Sequence, residues 1–139
     1  MKKKHLFTIS ILGYILLLFF SCGKDKDCHD LKITNNSSSD IYYYVTHYDS
    51  SVLKLDYNPS LSPSGYKCLK NTSINYKRND CIESQIAYSP SKHIYTFIFD
   101  AYILEHTAWD TVKSKRLFLK RYDLDINYLK NNNFTVSYP

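Results

Sequence analysis

The chain has 139 residues, a formal net charge of +5, 16% aromatic residues and only three glycines. The length allows one domain. Lys2, Lys3 and Lys4 stand apart at the N-terminus, so the remainder carries about +2, too little to direct binding to nucleic acid. The scarcity of glycine removes dinucleotide-binding, phosphate-loop and nucleophile-elbow motifs.

After the three lysines an apolar run extends from Ile9 to Phe20 and closes on Ser21-Cys22. About 12 apolar residues are too few for a membrane span, which needs ~20. Residues 1–21 are therefore expected to be a secretory signal peptide, with Ser21 as the small residue before a lipidated Cys22. Each acyl CH₂ buried in a bilayer contributes about 0.8 kcal/mol, so two or three chains hold a protein firmly. The expected place is the outer membrane, lipid-anchored and bound to the membrane through that lipid. Gly23-Lys24-Asp25-Lys26-Asp27 is charged and lacks apolar residues. Residues 22–27 thus read as lipidated cysteine and tether, and 28–139 as a β-rich domain.

With Cys22 acylated, Cys28, Cys68 and Cys81 are the disulfide candidates. Three pairings are open in an oxidising compartment, each leaving one thiol. Cys68–Cys81 would close the shortest loop, worth roughly 3 kcal/mol by chain entropy, and Cys28–Cys81 would pin the domain's N-terminal edge to its middle. Cys28-His29 are adjacent, and no Cys-x-x-Cys or His-x-x-x-His spacing is present, so no metal site is expected.

The domain is rich in Tyr, Ile, Thr and Phe, which favour strands. Leu31–Thr34 reads as a first strand, followed by a polar turn through Asp40. Ile41–Tyr48 alternates, with Ile41, Tyr43 and Val45 on one face and Tyr42, Tyr44 and Thr46 on the other. Residues 49–65 read as an irregular connection with a short strand at Val52–Leu55. Tyr66–Leu69 is the next expected strand, then a loop through Asp80. Ile82–Tyr88 and Ile94–Leu104 are read as further strands, the second apolar enough to be covered on both faces. Thr107 and Asp110 have capping-box spacing for a short helix to about Lys115. Leu117–Tyr122 returns to strand. Asp125 caps a second helix, with Leu124 and Leu129 at staple positions, and Phe134–Tyr138 is the last strand. The fold class is mainly β: one β-sandwich, with an immunoglobulin-like arrangement as one form, and two short helices near the C-terminus. A single sheet backed by those helices is the second reading.

Few residues point to chemistry. His29, His47, His93 and His106 lie at no catalytic or metal spacing, so no catalytic residue and no cofactor is expected. Asp100 sits in an apolar run, where a buried carboxylate would need Lys120 or Arg121 as partner. Tyr42, Tyr44 and Tyr48 could form an aromatic binding surface on which sugars stack, with Tyr57 and Trp109 nearby.

The C-terminal third carries Ile98-Phe99-Asp100-Ala101, Trp109, Leu119-Lys120-Arg121-Tyr122-Asp123-Leu124 and a final Tyr138-Pro139. This pattern, with Cys28-His29, Ile33 and Asn35-Asn36-Ser37 earlier, resembles small uncharacterised lipoproteins of Bacteroidota. It departs at Phe134, where those proteins often carry Trp. The resemblance implies a lipoprotein and transfers no activity. The resulting expectation is a non-catalytic binding or interaction module of the envelope, with a glycan or an envelope protein as partner. A structural component of an envelope assembly is the alternative, and a small hydrolase using Asp100 or Asp123 ranks behind it.

Overall fold

The computed structural model describes residues 28–48 and 55–139. Residues 1–27, which hold the expected signal peptide (1–21), the expected lipidation site Cys22 and the expected tether, and all but Leu55 of the expected strand at Val52–Leu55 lie outside the described residues. The remainder forms seven strands: β1 (Leu31–Asn35), β2 (Ile41–Thr46), β3 (Lys67–Cys68), β4 (Thr72–Tyr76), β5 (Ile94–Asp100), β6 (Lys120–Leu124) and β7 (Thr135–Tyr138). Five short helices join them: α1 (Pro63–Tyr66), α2 (Ile82–Tyr88), α3 (Ala101–His106), α4 (Trp109–Ser114) and α5 (Ile126–Asn131).

The strands make two sheets, ordered β4-β1-β7 and β3-β2-β5-β6. All pairs are antiparallel except β1–β7, in which Ile33 lies opposite Val136. The mainly β, two-sheet expectation holds. The strand order is not that of an immunoglobulin constant-type domain, which keeps its first and second strands in one sheet; here β1 and β2 lie in different sheets.

Two apolar layers follow from strand alternation. Leu31 and Ile33 of β1 and Val136 of β7 meet Ile41, Tyr43 and Val45 of β2 and Ile94 and Ile98 of β5, with Ile82 and Ile86 of α2 and Leu129 of α5 joining them. The opposite face of the larger sheet presents Tyr42, Tyr95, Phe97 and Phe99. It is covered by Leu55, Leu104 of α3 and Val112 and Trp109 of α4. β5 is therefore buried on both faces, as its apolar run predicts. Each fully buried Leu, Ile or Phe contributes about 1.5–3 kcal/mol, so this strand is the main source of cohesion.

Local chemistry fixes the connections. Asn35 is fully buried. Its Oδ1 accepts from the Ser37 N–H at 3.1 Å, and its Nδ2 donates to the carbonyls of Ser39 at 2.8 Å and Cys68 at 3.2 Å. One side chain thus builds the β1–β2 turn and ties it to β3. Asp125 caps α5, accepting from the Tyr128 N–H at 2.6 Å, and Leu124 and Leu129 are fully buried.

Several expectations are corrected. Ile82–Tyr88 is the helix α2, because Ile82, Gln85 and Ile86 share one buried stripe at helical spacing. The apolar run from Ile94 ends as a strand at Asp100, which caps α3 by accepting from the Ile103 N–H at 2.9 Å. Asp100 is thus a helix cap and not a core charge paired with Lys120 or Arg121. Thr107 closes α3, and α4 begins after Ala108 without a side-chain cap. The stretch before Asp80, expected as loop, contains the edge strand β4, with Ile74 opposite Ile33. The strand expected at Leu117–Tyr122 begins at Lys120, after a turn with Arg116 at φ 52°.

Cys28 and Cys81 form the disulfide, and Cys68 is a buried thiol. Burial pushes the Cys68 thiol pKa up. Around the bridge, the His29 ring stacks on Phe134 with centroids 3.9 Å apart, and His29 Nδ1 hydrogen-bonds Glu83 Oε1. The Ile82 N–H donates to the His29 carbonyl at 3.1 Å. The first described residues are thereby fastened to α2 and to Phe134, the residue before β7.

Candidate functional site

Two concave surfaces lie at opposite ends of the β2–β5 pair. Ile41 pairs with Asp100 at one end and Thr46 with Tyr95 at the other. Beyond Thr46, the chain enters a cleft of about 300 Å³ lined by His47, Tyr48, Arg78, Asp80, Gln85, Tyr88, Ser89 and Pro90. β2 supplies His47 and Tyr48 from its end, β4 leads into Arg78 and Asp80, and α2 supplies Gln85 and Tyr88. Asp80 adjoins Cys81, so the cleft borders the disulfide that holds the first described residue.

The two tyrosines of this cleft are 63% (Tyr48) and 88% (Tyr88) exposed. Gln85 is buried; its Nε2 donates to the Asp80 carbonyl at 3.0 Å, and its Oε1 has no partner among the described residues. Arg78 lies 5.8 Å from the Tyr76 ring centroid. Burial, then the Arg78 charge, lowers the His47 pKa, so this imidazole is held neutral near pH 7. The cleft combines open aromatic rings with planar donors and acceptors, a chemistry suited to a polar ligand with flat apolar faces. The Ser89 hydroxyl donates to the His47 carbonyl oxygen at 3.4 Å, so Ser89, His47 and Asp80 do not form a nucleophile–base–acid chain here.

The expected aromatic surface is thus redistributed. Tyr48 lines the cleft. Tyr42 is 1% exposed, on the face that packs under α3, and its hydroxyl donates to Glu105 Oε1 at 2.9 Å. Tyr44 is half-buried and stacks on Tyr66 with centroids 6.4 Å apart; Tyr57 lies against Tyr66 and Trp109 against Phe99. Tyr42 and Tyr44 therefore belong to packing and not to an open platform. The sequence does not single out Tyr88, Arg78, Asp80 and Gln85, since they lie on or beside a segment whose composition predicts a strand and which forms the helix α2. The helical spacing of Ile82 and Ile86 is the signal that places Gln85 and Tyr88; no local signal places Arg78 and Asp80.

At the other end, a polar cavity of about 390 Å³ is lined by Ser38, Ser39, Asp40, Lys67, Lys70, Asp100, Ala101, Tyr102 and Glu105. Lys67 Nζ lies 2.8 Å from Glu105 Oε1 and 3.7 Å from Asp40 Oδ2. Its hydrogen bond to Glu105 raises the lysine pKa, and that bond, with the one from Tyr42, lowers the Glu105 pKa. Burial first, then the bond to Glu105, raises the Tyr42 pKa. All three groups keep their ordinary charge at neutral pH.

The remaining histidines are occupied locally. His93 Nδ1 is 2.7 Å from the Ser91 carbonyl, and His106 Nδ1 is 2.8 Å from that of Tyr102. Asp123 holds Arg121, which also lies 4.5 Å from the Tyr95 ring centroid. In comparisons with known proteins, no family model, curated protein or solved structure matches this chain.

Proposed function

We propose that the chain is a non-catalytic lipoprotein of the outer membrane, anchored through an acylated Cys22, whose domain binds a glycan in the Tyr48–Tyr88 cleft. The observation that carries this reading is the pair of open tyrosine rings beside Arg78, Asp80 and Gln85. Sugar rings present axial C–H faces that pack on aromatics and hydroxyls that bond planar polar side chains. The resemblance of the C-terminal third to Bacteroidota lipoproteins supports the anchor. A tether spanning residues 22–27 reaches at most about 20 Å when extended, so the cleft would face glycans presented close to the bilayer.

The test is affinity electrophoresis of the full-length chain through gels containing envelope polysaccharides. Retarded migration is expected, with Tyr48→Ala and Tyr88→Ala each weakening it roughly fivefold, the loss of about 1 kcal/mol of ring contact. Retardation unchanged in the double variant would remove the cleft from the reading. The second reading, a component of an envelope assembly, draws on the exposed Leu117 and Leu119 beside Lys115 and Arg116.

A further inference from the structure

The polar cavity at the far end from the cleft carries charges that the fold does not use. Lys67 is neutralised by Glu105 and Asp40, and the other Asp40 oxygen accepts the Lys70 backbone N–H at 2.9 Å. This leaves two groups. The Lys70 ammonium has no ion-pair partner among the described residues. Asp100 spends Oδ1 on the Ile103 N–H, and its charge meets no cation among the described residues. Lys70 and Asp100 line the same cavity and yet do not pair with each other.

We propose that this cavity binds a small zwitterion of the amino-acid type, its carboxylate on Lys70 and its ammonium on Asp100. A ligand with one charge gains from one of these groups and is opposed by the other, whereas a ligand with both satisfies both. The floor is already ordered, because Tyr42 and Lys67 converge on Glu105, so binding need not immobilise it. Ser38 and Ser39 add hydroxyls at the rim. Tyr102, 69% exposed and stacked on His106 at 4.3 Å, offers a flat wall for an aromatic or aliphatic side chain. The site is separate from the Tyr48–Tyr88 cleft and does not depend on the glycan reading.

The test is protein-observed NMR on the isotope-labelled full-length chain with a matched set: phenylalanine, phenylalanyl-glycine, phenethylamine and 3-phenylpropionate. Saturable shifts at the Ser39, Lys70 and Tyr102 amides are expected for phenylalanine or its dipeptide. Each singly charged analogue is expected to bind about fivefold more weakly, the effect of one solvent-exposed charge contact. The two zwitterions distinguish a free amino acid from a peptide. Asp100→Asn retains a good helix cap while removing the charge, and should abolish the preference for phenylalanine over 3-phenylpropionate. Lys70→Gln, at an exposed position, should abolish the preference over phenethylamine. No saturable shift with either zwitterion, or singly charged analogues binding equally well, would overturn the proposal.

Discussion

Replacing both Cys28 and Cys81 with Ser should cost this domain a large part of its stability. The bridge spans a sequence separation of 53 residues. Loop-closure entropy for a ring of that size gives about 14 cal/mol/K, or about 4 kcal/mol at room temperature. Domains of this size are stable by only about 5–15 kcal/mol, so the variant should be marginal. The surrounding contacts magnify the effect, because His29 reaches both Glu83 and Phe134 from the residue beside the bridge. The assay is urea unfolding of the two chains followed by circular dichroism. With a slope of roughly 1–2 kcal/mol/M, the midpoint should fall by about 2–4 M. Alkylation mapping gives an independent check: Cys68 should react only after unfolding, since it is buried. A midpoint shift under about 0.5 M, well below the entropic value, would refute the argument that this bridge limits the unfolded chain.

Other consequences concern the core, a cap and the tyrosines. Phe99→Ala removes a ring that is fully buried against Trp109 and should cost about 3–5 kcal/mol, read as a loss of thermal midpoint. Asp125→Ala deletes the carboxylate that accepts the Tyr128 N–H and should cost about 1 kcal/mol, measurable by the same denaturation assay. Burial pushes Tyr76 and Tyr122 up to about 12, against about 10 in the unfolded chain. Their neutral forms therefore stabilise the fold fully below about pH 10, and that contribution is lost as pH rises through about 12. A phenolate absorbance titration should show a late phase coincident with unfolding; titration of every tyrosine near the free value in a folded chain would contradict it.

What the sequence disclosed depended on how many neighbours each segment needed. β2 was legible because Ile41, Tyr43 and Val45 alternate, and α5 because Asp125, Leu124 and Leu129 form a local unit. The failures have physical causes. β4 is a polar edge strand, so Thr72, Ser73 and Asn75 gave no apolar alternation, and its pairing with β1 is long-range. α2 has β-branched Ile82 and Ile86, whose strand preference masks its helical stripe. Asp100 stands in an apolar run and so looks like a buried charge, whereas its place at a strand-to-helix junction makes it a cap. Of the aromatic surface only Tyr48 belongs to the cleft. Tyr42 could not be placed, because which face of β2 lies under α3 depends on a helix that the apolar run concealed.

The central claim, glycan binding in the Tyr48–Tyr88 cleft, is tested most directly by a glycan array probed with the full-length chain and with its Tyr48→Ala, Tyr88→Ala double variant. Both residues are exposed, so the variant should keep the wild-type melting profile. The account predicts a defined set of bound glycans for the native chain and loss of that set in the folded variant. An array with no bound glycan, or with the same glycans bound by both chains, would contradict it.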